Sequence, residues 1–457
     1  MHDLDPAMLD LILDYVTERL ELAEAPVDGL GDRAAMFEAM SGLIGDGPRD
    51  AKEVLDVYVD HLADTVLSAD SPRFFAFIPA APTKASLLFD MVVSAASLQG
   101  CSWLEAAGAV MAENAALRVM ADAAGLPDSA GGTFVSGGSA GNLSALVVAR
   151  DSAASRGLRP EVPHVLVSDQ SHSSIANALR IMGMKPLIAH TTDGRLTEEA
   201  LVTALEQDAD AARNLVAVVA TAGTTNAGIV DDIAAAARVA QARRLWLHVD
   251  GAYGGAGLLV PRLRALYKGI EHADSIVMDP HKWWFAPFDS AALIYRNPHL
   301  ARAVHTQDAS YLDVIHTGDD LNPSDLAFHL TRRARGMALW FSLAVNGLDA
   351  YRDAVDAGVQ LAQYAAGRIH ESDELELVHH PELSIVLFRR RGWELSDYER
   401  WSRRLLTRQT AFVASSSWYG ETVGRLAFLH PATTRRMVDE VLDSLMDEES
   451  TGEDSFD

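Results

Sequence analysis

Cysteine is almost absent from this chain: Cys101 is the single one in 457 residues. That excludes an internal disulfide framework and a thiolate metal site, and suits a reducing cytosol. Positive charge is also scarce, with 38 lysines and arginines against 64 aspartates and glutamates and a formal net charge of −26. No basic patch reverses the balance, so nucleic-acid backbones and anionic membranes would be repelled. Long apolar runs are missing, since no stretch approaches the roughly eighteen residues of a membrane helix. The opening Met1-His2-Asp3-Leu4-Asp5 has neither the positive region nor the apolar core of a signal peptide. The expectation is a cytoplasmic protein with no nucleic-acid and no membrane partner.

What is present is a long chain with 49% apolar residues, enough for two or three domains with ample buried surface. Over 1–74 the residues Leu9, Leu11, Ile12, Tyr15, Val16 and Leu20, and then Val54, Leu55, Val57, Tyr58, Leu62 and Val66, recur near helical spacing. These helices are too few to close a core, so their apolar stripes need another surface. From 75 to 345 short apolar strands (165–168, 186–190, 215–221, 245–250, 275–279 and 291–295) alternate with helical stretches such as 197–207. That pattern predicts an α/β domain with a mostly parallel sheet covered by helices. A smaller α+β domain is expected over 346–445, with helices at 350–369 and 395–408 and strands at 383–388 and 424–429. The tail 446–457 carries six acids and few apolar groups, so it is expected to be disordered.

One lysine is enclosed by apolar and aromatic residues, in Val277-Met278-Asp279-Pro280-His281-Lys282-Trp283-Trp284. Burial disfavours an ammonium, lowers its pKa and frees the amine to form a Schiff base with a carbonyl. Pyridoxal 5′-phosphate is the carbonyl cofactor this suggests. Such a site needs a carboxylate for the pyridinium nitrogen, donors for the phosphate and a flat group over the ring. Asp250 closes the apolar run Leu245-Trp246-Leu247-His248-Val249, at the carboxyl end of a buried strand where ligands of open α/β sheets collect. His172 follows the strand Val165-Leu166-Val167 and can stack on a ring. Gly137-Gly138-Ser139-Ala140-Gly141-Asn142 precedes an apolar helical run, so its backbone N–H groups can cradle a phosphate. Each residue has a bland reading alone, the aspartate as a cap and the histidine as a satisfied core or surface group. Their joint order and spacing favour the cofactor site. Gly251 to Gly257 does not fit the G-x-G-x-x-G dinucleotide fingerprint.

In that order the segments Ser71-Pro72-Arg73-Phe74-Phe75-Ala76-Phe77, 132–146, Ser171-His172-Ser173, Ala220-Thr221-Ala222-Gly223-Thr224-Thr225, His248-Val249-Asp250-Gly251-Ala252-Tyr253 and Asp279-Pro280-His281-Lys282-Trp283 resemble the group II pyridoxal phosphate-dependent decarboxylases. The resemblance runs from about Leu9 to about Val438. It implies a fold type I, aspartate aminotransferase-like architecture, a homodimer whose N-terminal segment packs across the partner, and decarboxylation of an L-amino acid to an amine and CO2. By the same resemblance Lys282 carries the cofactor, Asp250 faces the ring nitrogen, His172 stacks on one face and Ala252 packs against the other. Ser139 and Ala140 match the phosphate positions, Thr225 lies near the ring substituents, His281 near the phosphate or lysine, and Asp279 where many members carry Asn or Asp. The helical segment folding back on its own domain is the alternative to the dimer.

The family's side-chain pocket corresponds to Phe77, Ile78, Pro79 and Ala80 and to Gly100-Cys101-Ser102-Trp103, with Cys101 replacing a larger aromatic of aromatic-amino-acid members. Phe77 and Trp103 are as readily core aromatics. Arg425 matches an arginine near the active site, its alternative being a solvated strand face. The loop 310–331 departs most: the region Asp319-Asp320-Leu321-Asn322-Pro323-Ser324-Asp325-Leu326 lacks the tyrosine that protonates the product carbon in aromatic members, leaving Tyr311 and His316 as candidates. Without a proton donor, dioxygen can compete and oxidative deamination to an aldehyde follows. Another fold type I reaction (aminotransferase or lyase) fits the lysine segment less well, and a non-catalytic member conflicts with intact Lys282, Asp250 and His172.

Overall fold

The computed structural model describes residues 2–79, 81–315 and 320–446. Its large sheet contains β1 (Gly131–Val135), β2 (His164–Ser168), β3 (Lys185–Ala189), β4 (Leu215–Thr221), β5 (Trp246–Asp250), β6 (Ser275–Met278) and β7 (Ala291–Tyr295), in the order β1-β7-β6-β5-β4-β2-β3. Only β7 runs against its neighbours, β1 and β6; the pairings of β2, β3, β4, β5 and β6 are parallel. Every residue of β4 and β5 is buried, as expected for strands covered on both faces. Alternation sorts their side chains. Val218, Ala220, Leu247 and Val249 pack with Ala235, Ala236 and Ala240 of the helix Ile233–Arg243. Ala217, Val219 and Trp246 pack on the opposite face with Ala145, Leu146 and Val148 of the helix Gly138–Asp151. His248 and Asp250 share the face of Trp246, because strand side chains alternate with a period of two.

The parallel strands end on one edge of the sheet, with β2 leading to His172, β4 to Thr225, β5 to Ala252 and β6 to Lys282. Loops at carboxyl ends of such strands are where α/β sheets bind ligands.

A second, antiparallel sheet contains β8 (Leu375–Leu377), β9 (Ile385–Arg390), β10 (Ala414–Trp418) and β11 (Glu421–Ala427), in the order β10-β11-β9-β8. Phe388, Leu426 and Phe428 pack there with Trp401 and Leu405 of the helix Leu395–Thr407 and with Val438 and Val441 of the helix Arg435–Asp443. The helical span Met337–His370 is broken at Gly347, whose φ of 74° and ψ of 159° are non-helical, so two helices meet there and the second carries the stretch expected from 350. Glycine adopts that angle without a Cβ clash, which suits it to the junction.

At the amino end the helices Pro6–Glu21, Arg33–Met40 and Ala51–His61 are capped by Asp5, Asp32 and Asp50 and contain no buried residue. Tyr15 and Tyr58 meet edge-on at 5.8 Å, and Arg19 holds Asp70 at 2.8 Å. Leu9, Ile12, Leu13, Phe37, Val54 and Val59 stay exposed, so these helices do not sink into the large core. Among the described residues no helix is long and apolar enough to cross a membrane. The acidic tail lies outside the described residues apart from Met446.

Candidate active site

A cavity of about 180 Å³ opens at the carboxyl edge of the large sheet, and Lys282, Asp250 and His172 all line it. Lys282 comes from the turn after β6, closed by its own N–H on the Asp279 carbonyl at 3.0 Å. The following indoles anchor that turn: Trp283 and Trp284 are buried, and Tyr253 stacks on Trp283 with ring centroids 5.2 Å apart. The lysine side chain keeps 22% exposure toward the cavity, and its Nζ lies 2.9 Å from Asp279 Oδ2. It is therefore not the depressed amine that its apolar sequence neighbours suggest. Burial is the largest single influence and pulls its pKa down, but the charge and hydrogen bond of Asp279, with the charge of Asp250, leave it above the usual lysine value.

Asp250 ends β5 and is held from two sides. Its Oδ2 accepts from Asn142 Nδ2 at 2.9 Å and its Oδ1 from the Ala252 N–H at 3.1 Å. His172 caps the helix Ser173–Met182, its Nδ1 accepting from the Ser174 N–H at 3.2 Å. His281 accepts on Nδ1 from the Ser290 N–H at 3.0 Å and sets Nε2 3.5 Å from Asp279 Oδ2; burial pulls it below the usual histidine value.

The helix Gly138–Asp151 reaches the cavity at its amino end, where Gly137 supplies no side-chain cap. The Gly138 N–H donates to Asp279 Oδ2 at 3.2 Å. A Cβ on Gly138 would lie 3.0 Å from that oxygen and 3.1 Å from Ala252 Cβ, so glycine is what lets the wall close. Ser139, Thr225, Ala252, Asp279 and His281 line the cavity beside Lys282; Ala140 does not, being partly buried against the core on the Gly138–Asp151 side. On this wall Thr221 Oγ1 and Asp279 Oδ1 are buried without a hydrogen-bond partner. Unpartnered buried polar atoms are costly, by about 1–3 kcal/mol each. A ligand with several polar groups relieves that cost, and the positive amino end of a helix suits its phosphate. The donor set fits pyridoxal 5′-phosphate.

The predicted substrate end lies elsewhere. Phe77, with φ 50°, is 63% exposed, and Trp103 donates from Nε1 to the Leu321 carbonyl at 3.1 Å. Neither they nor Cys101 line this cavity, and Ala80 lies outside the described residues. Arg425 is buried, which overturns the solvated-face alternative. It donates to the carbonyls of Thr225, Phe77 and Asn226 at 2.7, 2.8 and 3.1 Å, tying β11 to the cavity wall. Burial pulls it down to about 10. Tyr311 is 70% exposed and away from the cavity lining; His316 lies outside the described residues.

Sequence reasoning overlooked Asn142, Ser174 and His248. The alternation of β5 was a usable signal for His248, since it puts that ring on the face of Asp250. Asn142 had none, because its role depends on how a helix docks against that strand.

Residues 41–391 match the pyridoxal-dependent decarboxylase conserved domain. Over 447 residues the chain is 30% identical to an aromatic-L-amino-acid decarboxylase of Bacillus atrophaeus, covering 95% of this chain and 92% of that protein. It is 33% identical over 384 residues to an L-2,4-diaminobutyrate decarboxylase of Rhizobium meliloti, covering 79% and 74%. The crystal structure of Oryza sativa TDC with PLP and tryptamine superposes with a TM-score of 0.89 at 25% identity, over 97% of this chain and 99% of that one.

Proposed function

The chain belongs to the pyridoxal-dependent decarboxylase family, and from that premise we propose that Lys282 carries the cofactor, faced by Asp250 and His172. The reaction is decarboxylation of an L-amino acid to the corresponding amine and CO2 with pyridoxal 5′-phosphate. The observation that carries the site assignment is the convergence of these three side chains, from three strand ends, on one cavity. When bound, pyridoxal phosphate supplies a carbonyl for an amine and a ring that withdraws electrons from the bonds at the substrate Cα.

In this reading Lys282 Nζ is the nucleophile, and Asp279 Oδ2 at 2.9 Å is the nearest acceptor for the proton it must shed. Asp250, oriented by Asn142 and the Ala252 N–H, would accept from a ring nitrogen of the cofactor. Ser139 and the N–H groups at the start of the helix Gly138–Asp151 hold the phosphate, which requires Asp279 to release the Gly138 N–H. Thr225 and His281 flank the group, and Ala252 keeps the wall opposite His172 low. His172, which lines the cavity, would be placed to give a proton to the product carbon; Tyr311 and His316 remain the alternative donors that the sequence offers.

Incubation with a panel of L-amino acids, scoring amine, aldehyde, CO2 and dioxygen, tests the reading. Amine and CO2 in equal amounts without oxygen uptake are expected from at least one of them. Aldehyde with oxygen uptake would show that none of these groups delivers the proton. A pure protein without a visible absorption band after added pyridoxal phosphate would refute the cofactor site.

A cytoplasmic homodimer is the second part of the proposal. The single cysteine and the acidic balance support the location. The dimer is supported by the exposed apolar residues of the three amino-terminal helices, and by exposed Leu88, Met91 and Val92 on the helix Lys84–Ala95. Such a surface needs cover, and extensive apolar interfaces rarely leave a stable monomer. Deleting the residues before Ser71 is expected to yield an aggregated or inactive protein. Light scattering with an activity assay decides; a monomeric, fully active truncation would sink the dimer.

A further inference from the structure

We propose that Asn142 and Ser174 are positioning residues that join Asp250 to His172 through one buried hydrogen-bond chain, so that His172 presents an Nε2–H to the cavity. The proposal rests on reading that cavity as the cofactor site.

The direction of the chain follows from groups that have no choice. The Trp246 indole can only donate, and it donates to Ser275 Oγ at 2.7 Å. Ser275 Oγ also lies 2.8 Å from His248 Nδ1. The Asp250 carboxylate can only accept, so Asn142 turns Nδ2 to its Oδ2 at 2.9 Å and to Ser174 Oγ at 3.0 Å. That leaves Asn142 Oδ1 to accept the His248 Nε2–H at 2.8 Å, and the neutral ring's Nδ1 then accepts the Ser275 O–H. The opposite amide orientation would face an acceptor with an acceptor. Ser174 Oγ lies 2.8 Å from His172 Nδ1. The Ser174 backbone N–H also points at Nδ1, at 3.2 Å, and it can only donate. Nδ1 is therefore an acceptor, the Ser174 O–H turns to it as well, and a neutral His172 holds its proton on Nε2.

Trp246, Ser275, His248, Asn142 and Ser174 are all buried, so water does not compete for these bonds. Burial holds His248 down at about 4, against the opposing pull of Asp250. Its ring therefore stays neutral near neutral pH, and the chain does not reverse. A single amide thus orients the Asp250 carboxylate directly and the His172 imidazole through Ser174. The wall offers His172 as a donor, to a carboxylate or to a carbon that needs a proton.

Side-chain ¹⁵N labelling of histidine with two-bond ¹H–¹⁵N correlation reads the tautomer of each ring in the full-length protein without added cofactor. The His172 signals are identified by their loss in His172→Gln. At mildly alkaline pH the expected pattern for His172 is Nε2–H with an accepting Nδ1. Ser174→Ala should move the Nδ1 signal toward that of an exposed, tautomer-averaged histidine, and Ser174→Thr should restore it. Asn142→Leu should weaken pyridoxal phosphate binding about 10-fold, read from visible absorption on titration. A wild-type His172 protonated on Nδ1 would overturn the proposal. So would a Ser174→Ala protein with unmoved ring signals and an Asn142→Leu protein that binds the cofactor within about two-fold of wild type. A wild-type protein that bound no cofactor would instead refute the cofactor-site reading, with the tautomer still measured.

Discussion

Replacing Lys282 by alanine is expected to abolish decarboxylation, by at least about 10⁴-fold, while leaving a folded protein, because a covalent nucleophile has no substitute at that point in space. Lys282 is the lysine that lines the cavity, whereas Lys185 and Lys268 are exposed. The turn that presents it does not depend on the amine, being closed by the Asp279 carbonyl and anchored by Trp283 and Trp284. Loss of the ammonium does leave Asp279 without its 2.9 Å partner, so a modest drop in stability is also expected. Its pH dependence has a definite sign. The folded-state pKa of Lys282 is raised, so the stability it contributes is fully present below the unfolded lysine value of about 10.4 and is lost as pH rises through the folded value. Lys282→Arg separates charge from chemistry: it keeps a cation beside Asp279 and should be as inactive as the alanine variant. Product release measures activity, and borohydride reduction with peptide mapping locates the cofactor. A label on Lys185 or Lys268 would show the assignment to be wrong.

Asp250→Asn should retain cofactor but lose turnover by about 10²–10⁴-fold, the scale of a well-placed proton-holding group. A neutral amide cannot pair with a protonated ring nitrogen as a carboxylate does. The substitution also changes the inner wall, since Asp250 accepts from both Asn142 Nδ2 and the Ala252 N–H. An asparagine has one oxygen for these two donors, so one is left unpartnered or the amide turns. The visible band on cofactor titration should survive while CO2 release at saturating cofactor collapses. Undiminished CO2 release would remove Asp250 from the mechanism.

Two kinds of information are legible in the sequence alone. Apolar runs of near-strand length, above all Leu215–Thr221 and the run ending in Asp250, carry their own burial, so the alternation that makes a parallel sheet is written locally. The spacing of Lys282, Asp250 and His172 after such runs put all three at strand ends, and strand ends in a parallel sheet share one edge. Elements without a local signal were not legible. The serine-rich β10 and the three-residue β8 are strands because β11 and β9 offer them backbone partners.

The sequence by itself determined the fold class, the cofactor chemistry and three residues that line one cavity, because each depends on residue type and order along short stretches. The tertiary structure decided everything that depends on distance between stretches. It placed the Asp279 carboxylate against Lys282 and so raised an amine whose neighbours in sequence suggest a lowered one. It buried Arg425 among three carbonyls, and it docked Asn142 between Asp250, His248 and Ser174. Charge–charge energies and hydrogen bonds fall off over a few ångströms, and no spacing along the chain specifies which side chains of different elements come that close.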